Sequence, residues 1–224
     1  MRSWLFLLIS LAGAARAAPP AHLELGYEVT KNGSAIAEIS QDLRYGAGKY
    51  QLTETWEGRG LYRLLGTITR QSRGEVGPAG LVPLEYSDER TGRSAERASF
   101  DWKAKTVTYQ YKGGPTTIPL PPNPRDRLQF LLQFAFKPPQ GERVPLDVID
   151  GRGISDQVYQ VEGREPFRTP AGQFDALKLV RRKQGKERAE IWLATNRDYL
   201  AVRILIVTKD GDRIDQVVTR ISAP

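Results

Sequence analysis

Few residues in this sequence are equipped to do chemistry. The chain of 224 residues has a single histidine, His22, and no cysteine. A nucleophilic triad needs a base, usually an imidazole, beside the attacking group. His22 stands where the β-rich region begins, and there we expect a frayed start instead of a catalytic base. One His and no Cys also leave too few soft ligands for a zinc site. We therefore expect no catalytic, cofactor-binding or metal-ligating residue. Carboxylates are the remaining candidates. The stretch "DVIDGRGISD" offers Asp147, Asp150 and Asp156, and glycoside hydrolysis needs two carboxyls ~5–10 Å apart. However, Asp150-Gly151 is a turn signature, and Asp147 alternates outward between Leu146 and Val148. A carboxylate-dependent glycan hydrolase is the weakest reading. The same stretch lacks the oxygen spacing of a calcium loop and the Lys-Ser/Thr of a phosphate loop.

A second stretch, "RTPAGQFDAL" at 168–177, is compact enough to pass for an active-site loop. Each residue has a simpler duty. Pro170 presets φ for a turn, Gly172 supplies a conformation that bulky residues avoid, and Phe174 starts the next strand. We expect a corner between the strands Val158–Phe167 and Phe174–Val180.

The elements that would position these residues are preceded by a leader. "MRSWLFLLISLAGAARA" combines Arg2, an apolar stretch too short to span a membrane, and a small-x-small site at Ala15-Arg16-Ala17. It predicts a secretory signal peptide at 1–17, cleaved after Ala17. A short tail at 18–22 and a single β-rich domain at 23–224 follow. The expected compartment is the periplasm, with no membrane span, no lipid anchor on a cysteine and no disulfide. The formal net charge of +7 is spread along the chain, with Arg2 and Arg16 in the leader. Its densest patch, 181–186, reads as a solvated hairpin tip. Export argues against a nucleic-acid partner.

Beyond the tail a period of two takes over. Leu23, Leu25, Tyr27 and Val29 share a face, Asn32-Gly33 is a hairpin signal, and Ala35-Ala37-Ile39 begins the return. The same grammar recurs through Tyr50–Trp56, 61–73, Phe100–Tyr111 and four strands from Phe174 to Ile221, the last hairpin closed by Asp210-Gly211. Roughly a dozen strands follow from this spacing. One segment differs. In "PPNPRDRLQFLLQFAFKPP" Asn123 is placed to cap a helix, Pro124 to open it and Pro138 to end it. Leu128, Leu131, Leu132 and Ala135 form one stripe, with Phe130 and Phe134 nearly opposite, so this helix is apolar on two sides. The expectation is a mainly β fold: a single antiparallel, strongly curved sheet or open β-barrel, wrapped around one short buried helix at about 124–136.

"TPAGQFDALKLVRR", "EIWLATNRDYLAVRI" and "GDRIDQVVTRI", supported by "GLVPLEYSDERTGRSAERASFDW" and "DRLQFLLQFAF", resemble a bacterial family of exported proteins, domain of unknown function 3108. The resemblance spans nearly all of the chain beyond the leader and keeps the segment order. It implies an exported β-rich domain without an established activity or catalytic residues. Two readings of function stand beside the hydrolase. In the first, a non-enzymatic carrier holds a lipid or other apolar molecule in a half-barrel lined by Tyr109, Tyr111, Phe130, Phe134 and Trp192. In the second, the barrel is solid and docks a protein of the cell envelope through strand edges or the basic tip.

Overall fold

The computed structural model describes residues 19–183 and 185–223. The expected leader at 1–17 lies outside them, as do Ala18, Gln184 and Pro224. Period-two alternation becomes burial on β1 (His22–Lys31), where Leu23, Leu25, Tyr27 and Val29 are all buried and their neighbours are not. Asn32 and Gly33, both at positive φ, turn the chain into β2 (Ser34–Gly46). A meander continues through β3 (Lys49–Gly58), β4 (Thr67–Gly77), β5 (Gly80–Arg90), β6 (Glu96–Asp101), β7 (Thr106–Gln110) and β8 (Thr116–Pro119). After β9 (Pro124–Asp126) and helix α1 (Gln129–Phe136), a second meander runs through β10 (Arg143–Asp150), β11 (Gly153–Thr169), β12 (Gly172–Arg182), β13 (Arg188–Ala194), β14 (Leu200–Val207) and β15 (Arg213–Ser222).

All fifteen strands belong to one sheet, ordered β8 to β1 and then β15 down to β9. The two meanders meet where β1 pairs with β15. The antiparallel register places the β1–β2, β3–β4, β5–β6, β7–β8, β10–β11, β12–β13 and β14–β15 turns at one end, here the upper rim. The remaining turns and both ends of the described chain lie at the lower rim. Strands β8 and β9 end the order without pairing to each other, so the sheet is not closed. Strands that are not neighbours in that order nevertheless touch. The Tyr27 hydroxyl on β1 donates to the Ala201 carbonyl on β14 at 3.0 Å. The β10–β11 turn approaches β6 so closely that a Cβ on Gly151 would lie 2.6 Å from the Arg97 backbone nitrogen.

Two expectations need correction. The sheet is mixed, because β9 pairs with β10 in parallel. The helix starts at Gln129, not near 124, because residues 124–126 find backbone partners on β10 instead of helical ones. Pro124, with no N–H to lose, suits that edge strand. Asp126 takes the capping role expected of Asn123: its Oδ1 accepts the N–H groups of Leu128 and Gln129, each at 2.8 Å. From Leu128 the two-sided apolar pattern divides between two clusters. Leu128, Leu132 and Ala135 join the larger cluster, which draws on both meanders, while Phe134 belongs to a smaller one with Val144, Leu146 and Leu193, against which Phe130 and Leu131 pack. Gln133 ties the helix to the β4–β5 turn, accepting from the Leu81 N–H and donating to the Ala79 carbonyl, both at 2.7 Å. The corner expected between Phe167 and Phe174 is tighter than that: β11 runs to Thr169 and β12 starts at Gly172, with the turn at Pro170-Ala171.

Candidate functional site: a cavity beside a charged ladder

On the buried face of the first meander, register aligns one polar residue from each of the strands β2 to β6. Gln41 on β2 opposes Glu54 on β3, Glu54 opposes Arg70 on β4, Arg70 opposes Asp88 on β5, and Asp88 opposes Glu96 on β6. All five are buried. Cross-strand neighbours of opposite charge support one another; Gln41–Glu54, Glu54–Arg70 and Arg70–Asp88 are direct bonds, whereas Asp88 and Glu96, both acids, each turn to an arginine instead. Glu54 accepts from Gln41, Trp56 and Arg70, each at 2.6 Å. Asp88 accepts from Arg70 Nε and from Arg90 Nη2, both at 2.8 Å. Glu96 takes Arg152, which arrives from the β10–β11 turn at 2.6 Å. Burial pushes the Asp88 carboxyl upward, but hydrogen bonds from Arg90 and Arg70 outweigh it and hold the group down at about 2. Burial likewise works against the Arg70 cation, and Glu54 and Asp88 overcome it, so its pKa rises. Below the ladder, Tyr50 Oη lies 2.8 Å from Ser72 Oγ, which donates to Asp126 Oδ2 at 2.5 Å.

Glu54, Trp56 and Arg70 form one wall of a cavity of ≈510 Å³. The facing wall is apolar and comes from the second meander, chiefly Val148, Ile191, Ile204 and Ile214, with Phe130 and Leu131 supplied by α1. Ile154 and Ile206, 38% and 42% exposed, line it at the upper rim. Three guanidinium groups also reach it: Arg127, Arg152 and Arg181. Arg181 lies 5.9 Å from the Tyr159 ring, and its Nε is buried with no hydrogen-bond partner among the described residues. Arg127 reaches Asp150 at 3.4 Å. The site therefore combines a greasy wall, an internally neutralised polar wall and cations at one opening.

Of the five aromatics expected to line such a space, Phe130 does so. Phe134 is core on the other side of the helix, packed with Val144 and Leu146. Tyr109 packs against the larger core cluster, and Tyr111 lies under Arg152, 4.5 Å from ring centre to guanidinium. Trp192 occupies the face of β13 opposite Ile191, stacked on Phe167 at 5.9 Å with Arg203 over its ring at 4.5 Å. His22 is not frayed: it pairs within β1 and β2, and its Nε2 lies 3.0 Å from Asp42 Oδ2. His22, Glu24 and Asp42 bring ligand atoms within 4.8 Å of one another. Arg44 already occupies Asp42 at 2.9 Å, making this an ion-pair cluster at the lower rim. Asp147 opposes Asp156 and accepts the Asn123 N–H at 2.9 Å, a structural bond. The basic tip is largely spent, with Arg182 on Glu162, Lys183 on Glu187 at 2.7 Å, and Arg181 turned to the cavity.

These features define a mainly β protein built on one large, open, mixed sheet. A similar fold occurs in the β-barrel-like protein of domain of unknown function DUF1849 from Brucella abortus, with 9% identity, 92% of this chain and 99% of that chain covered, and a TM-score of 0.60. A protein with a YmcC-like fold from Bacteroides fragilis aligns at 10% identity over 92% and 97% of the two chains, with a TM-score of 0.45. A protein from Parabacteroides distasonis aligns at 12% identity over 91% and 97%, with a TM-score of 0.39. No curated protein matches this chain in sequence. The family is nonetheless defined: the chain belongs to the one described as protein of unknown function (DUF3108), whose model matches residues 23–218.

Proposed function

We propose that this is an exported, non-enzymatic protein of the periplasm, without a lipid anchor, whose sheet curls into an open barrel around α1 and holds an amphipathic molecule in the cavity. One observation carries the reading: a cavity of ≈510 Å³ sets an isoleucine wall against a charged ladder that neutralises itself. Pockets for small molecules commonly span roughly 300–1,000 Å³. An acyl chain laid along Phe130, Leu131, Ile191 and Ile204 would gain ~0.8 kcal/mol per methylene removed from water. Arg127 and Arg181 suit an anionic head at the opening, since guanidinium groups pair with carboxylate or phosphate in two-bonded geometry. The ligand class thus shifts from purely apolar to chain plus acid. Non-enzymatic action is supported by the ladder itself, where Glu54 and Asp88 commit their oxygens to Arg, Gln and Trp donors and neither is poised as a base.

The test is native mass spectrometry of the processed protein, recovered from a bacterial periplasm without detergent, beside displacement of a fluorescent fatty acid. An adduct extractable into organic solvent is expected. Ile204→Trp, which fills the cavity, should lose adduct and probe while keeping its melting temperature. A clean mass that does not shift after incubation with envelope lipids refutes the proposal.

A further inference from the structure

Between β3 and β4 the chain makes a 3-10 turn, Gly60–Leu65, that buries none of its residues. Leu61, Leu64 and Leu65 are 84%, 85% and 73% exposed. A solitary exposed leucine needs no explanation, but three on one turn with Tyr62 beside them form a patch. The turn is built to stand out. Its first residues are fixed by the Arg59 N–H on the Ile36 carbonyl at 2.8 Å and by Arg59 side-chain pairs to Glu28 and Glu38. Gly58 allows the turn to fold back on the strand end, because a Cβ there would lie 2.3 Å from the Tyr62 carbonyl oxygen. The Gly66 and Thr67 N–H groups close the other side, on the Arg63 carbonyl at 3.1 Å and Thr91 Oγ1 at 3.1 Å.

The patch lies on the upper rim, and so does nearly all other exposed apolar bulk. Among the described residues, Trp102 is the one large exposed apolar side chain at the lower rim; Ile154 and Ile206 share the upper rim with the turn. The same rim is basic: Arg63 stands within the turn, and Arg93, Lys112, Lys186 and Lys209 are exposed on neighbouring turns. Leucines projecting from a ring of cations match a bilayer surface bearing anionic headgroups, where apolar insertion and electrostatic attraction add. A protein partner would more commonly meet an aromatic or arginine anchor in a packed pocket than bare leucines on a turn.

We infer that the Gly60–Leu65 turn inserts its leucines into an anionic phospholipid surface, seating the upper rim, and with it the cavity opening, against the membrane. This docking does not depend on what the cavity holds. The experiment is vesicle flotation of the processed protein, using phosphatidylethanolamine with phosphatidylglycerol, and phosphatidylcholine alone for comparison. Wild-type protein is expected to float with the anionic vesicles, to stay off the neutral ones and to be released by salt. The variant Leu61→Ser/Leu64→Ser/Leu65→Ser should keep its melting temperature and lose at least about tenfold in partitioning. In Leu64→Trp, the added fluorescence should be quenched by brominated acyl chains. The cavity variant Ile204→Trp should still float, which separates docking from ligand capture. Equal flotation of the triple serine variant, or loss of flotation in Ile204→Trp, overturns the inference. Wild-type protein that ignores both vesicles overturns it too.

Discussion

Asp126 should make this protein more stable in mild acid than at neutral pH. The carboxyl is fully buried at the foot of α1, and burial drives its pKa from 3.8 up to about 6, against the pull of Ser72 and the N–H groups of Gln129 and Leu128. A group whose folded pKa is raised contributes stability that is complete below its unfolded value and lost as pH climbs through the folded one. The two pH units or so between 3.8 and about 6 correspond to about 3 kcal/mol in full. Between pH 7 and pH 5 the gain is about 1 kcal/mol, because protonation of the folded state is then mostly complete while the unfolded chain stays ionised. For a domain of this size that amounts to a rise of roughly 2–4 °C in melting temperature. The window closes near pH 4. There Asp88, held at about 2, and Glu190, lowered by Arg188 and Lys178 against the effect of burial, begin to withdraw the stability their ionised forms supply. The assay is thermal and urea unfolding of wild type and Asp126→Asn from pH 5 to 7. The asparagine keeps an acceptor for the helix N–H groups and cannot titrate, so its stability should be flat across this range. A wild type that is itself flat, or that stabilises as pH rises from 5 to 7, refutes the reasoning.

Arg70→Met strips Glu54 and Asp88 of a shared cation and leaves two buried acids short of partners, so urea unfolding should show a loss of about 3–5 kcal/mol; a loss below about 1 kcal/mol would mean the ladder rearranges without it. Gly151→Ala sets a methyl 2.4 Å from Glu96 Cβ, forcing the β10–β11 turn off β6, and should cost about 1–3 kcal/mol in the same assay. Gln129 is fully buried on α1, and neither amide atom has a partner among the described residues. Gln129→Met should therefore raise stability by about 1–2 kcal/mol, and a fall instead would show that the amide is satisfied in solution.

Local chemistry was readable where it acts over a few residues. The Leu23–Val29 alternation, the Asn32-Gly33 turn and the corner at 169–172 depend on neighbours in the chain, and the sheet follows from them. The ladder was not readable, although it left a trace: Gln41, Glu54, Arg70, Asp88 and Glu96 each keep phase with a buried residue two positions away. Their alignment is set by turn lengths and by the register shift between Arg73 and Gly74, which no single strand reveals. Residues 123–126 carry the signs of a helix start, yet their backbone partners on β10 lie more than twenty residues further on. His22 and Trp192 were misplaced for related reasons. The first is fixed by Asp42 from the adjoining strand, and the second stands on the wrong side of a strand that is buried on both faces.

The pairing of β1 with β15 sets the order in which the protein can be made. Each meander consists of neighbours in sequence, so hairpins can close as soon as their strands are available. The seam between the meanders joins the first strand to the last, with Glu24 opposite Ser222. Until the C-terminal residues arrive, β1 carries an uncovered edge, a template for pairing with other chains. Assembly of the sheet therefore waits for β15, and a chain that lost this strand would expose two edges at the centre of the sheet instead of one at its margin.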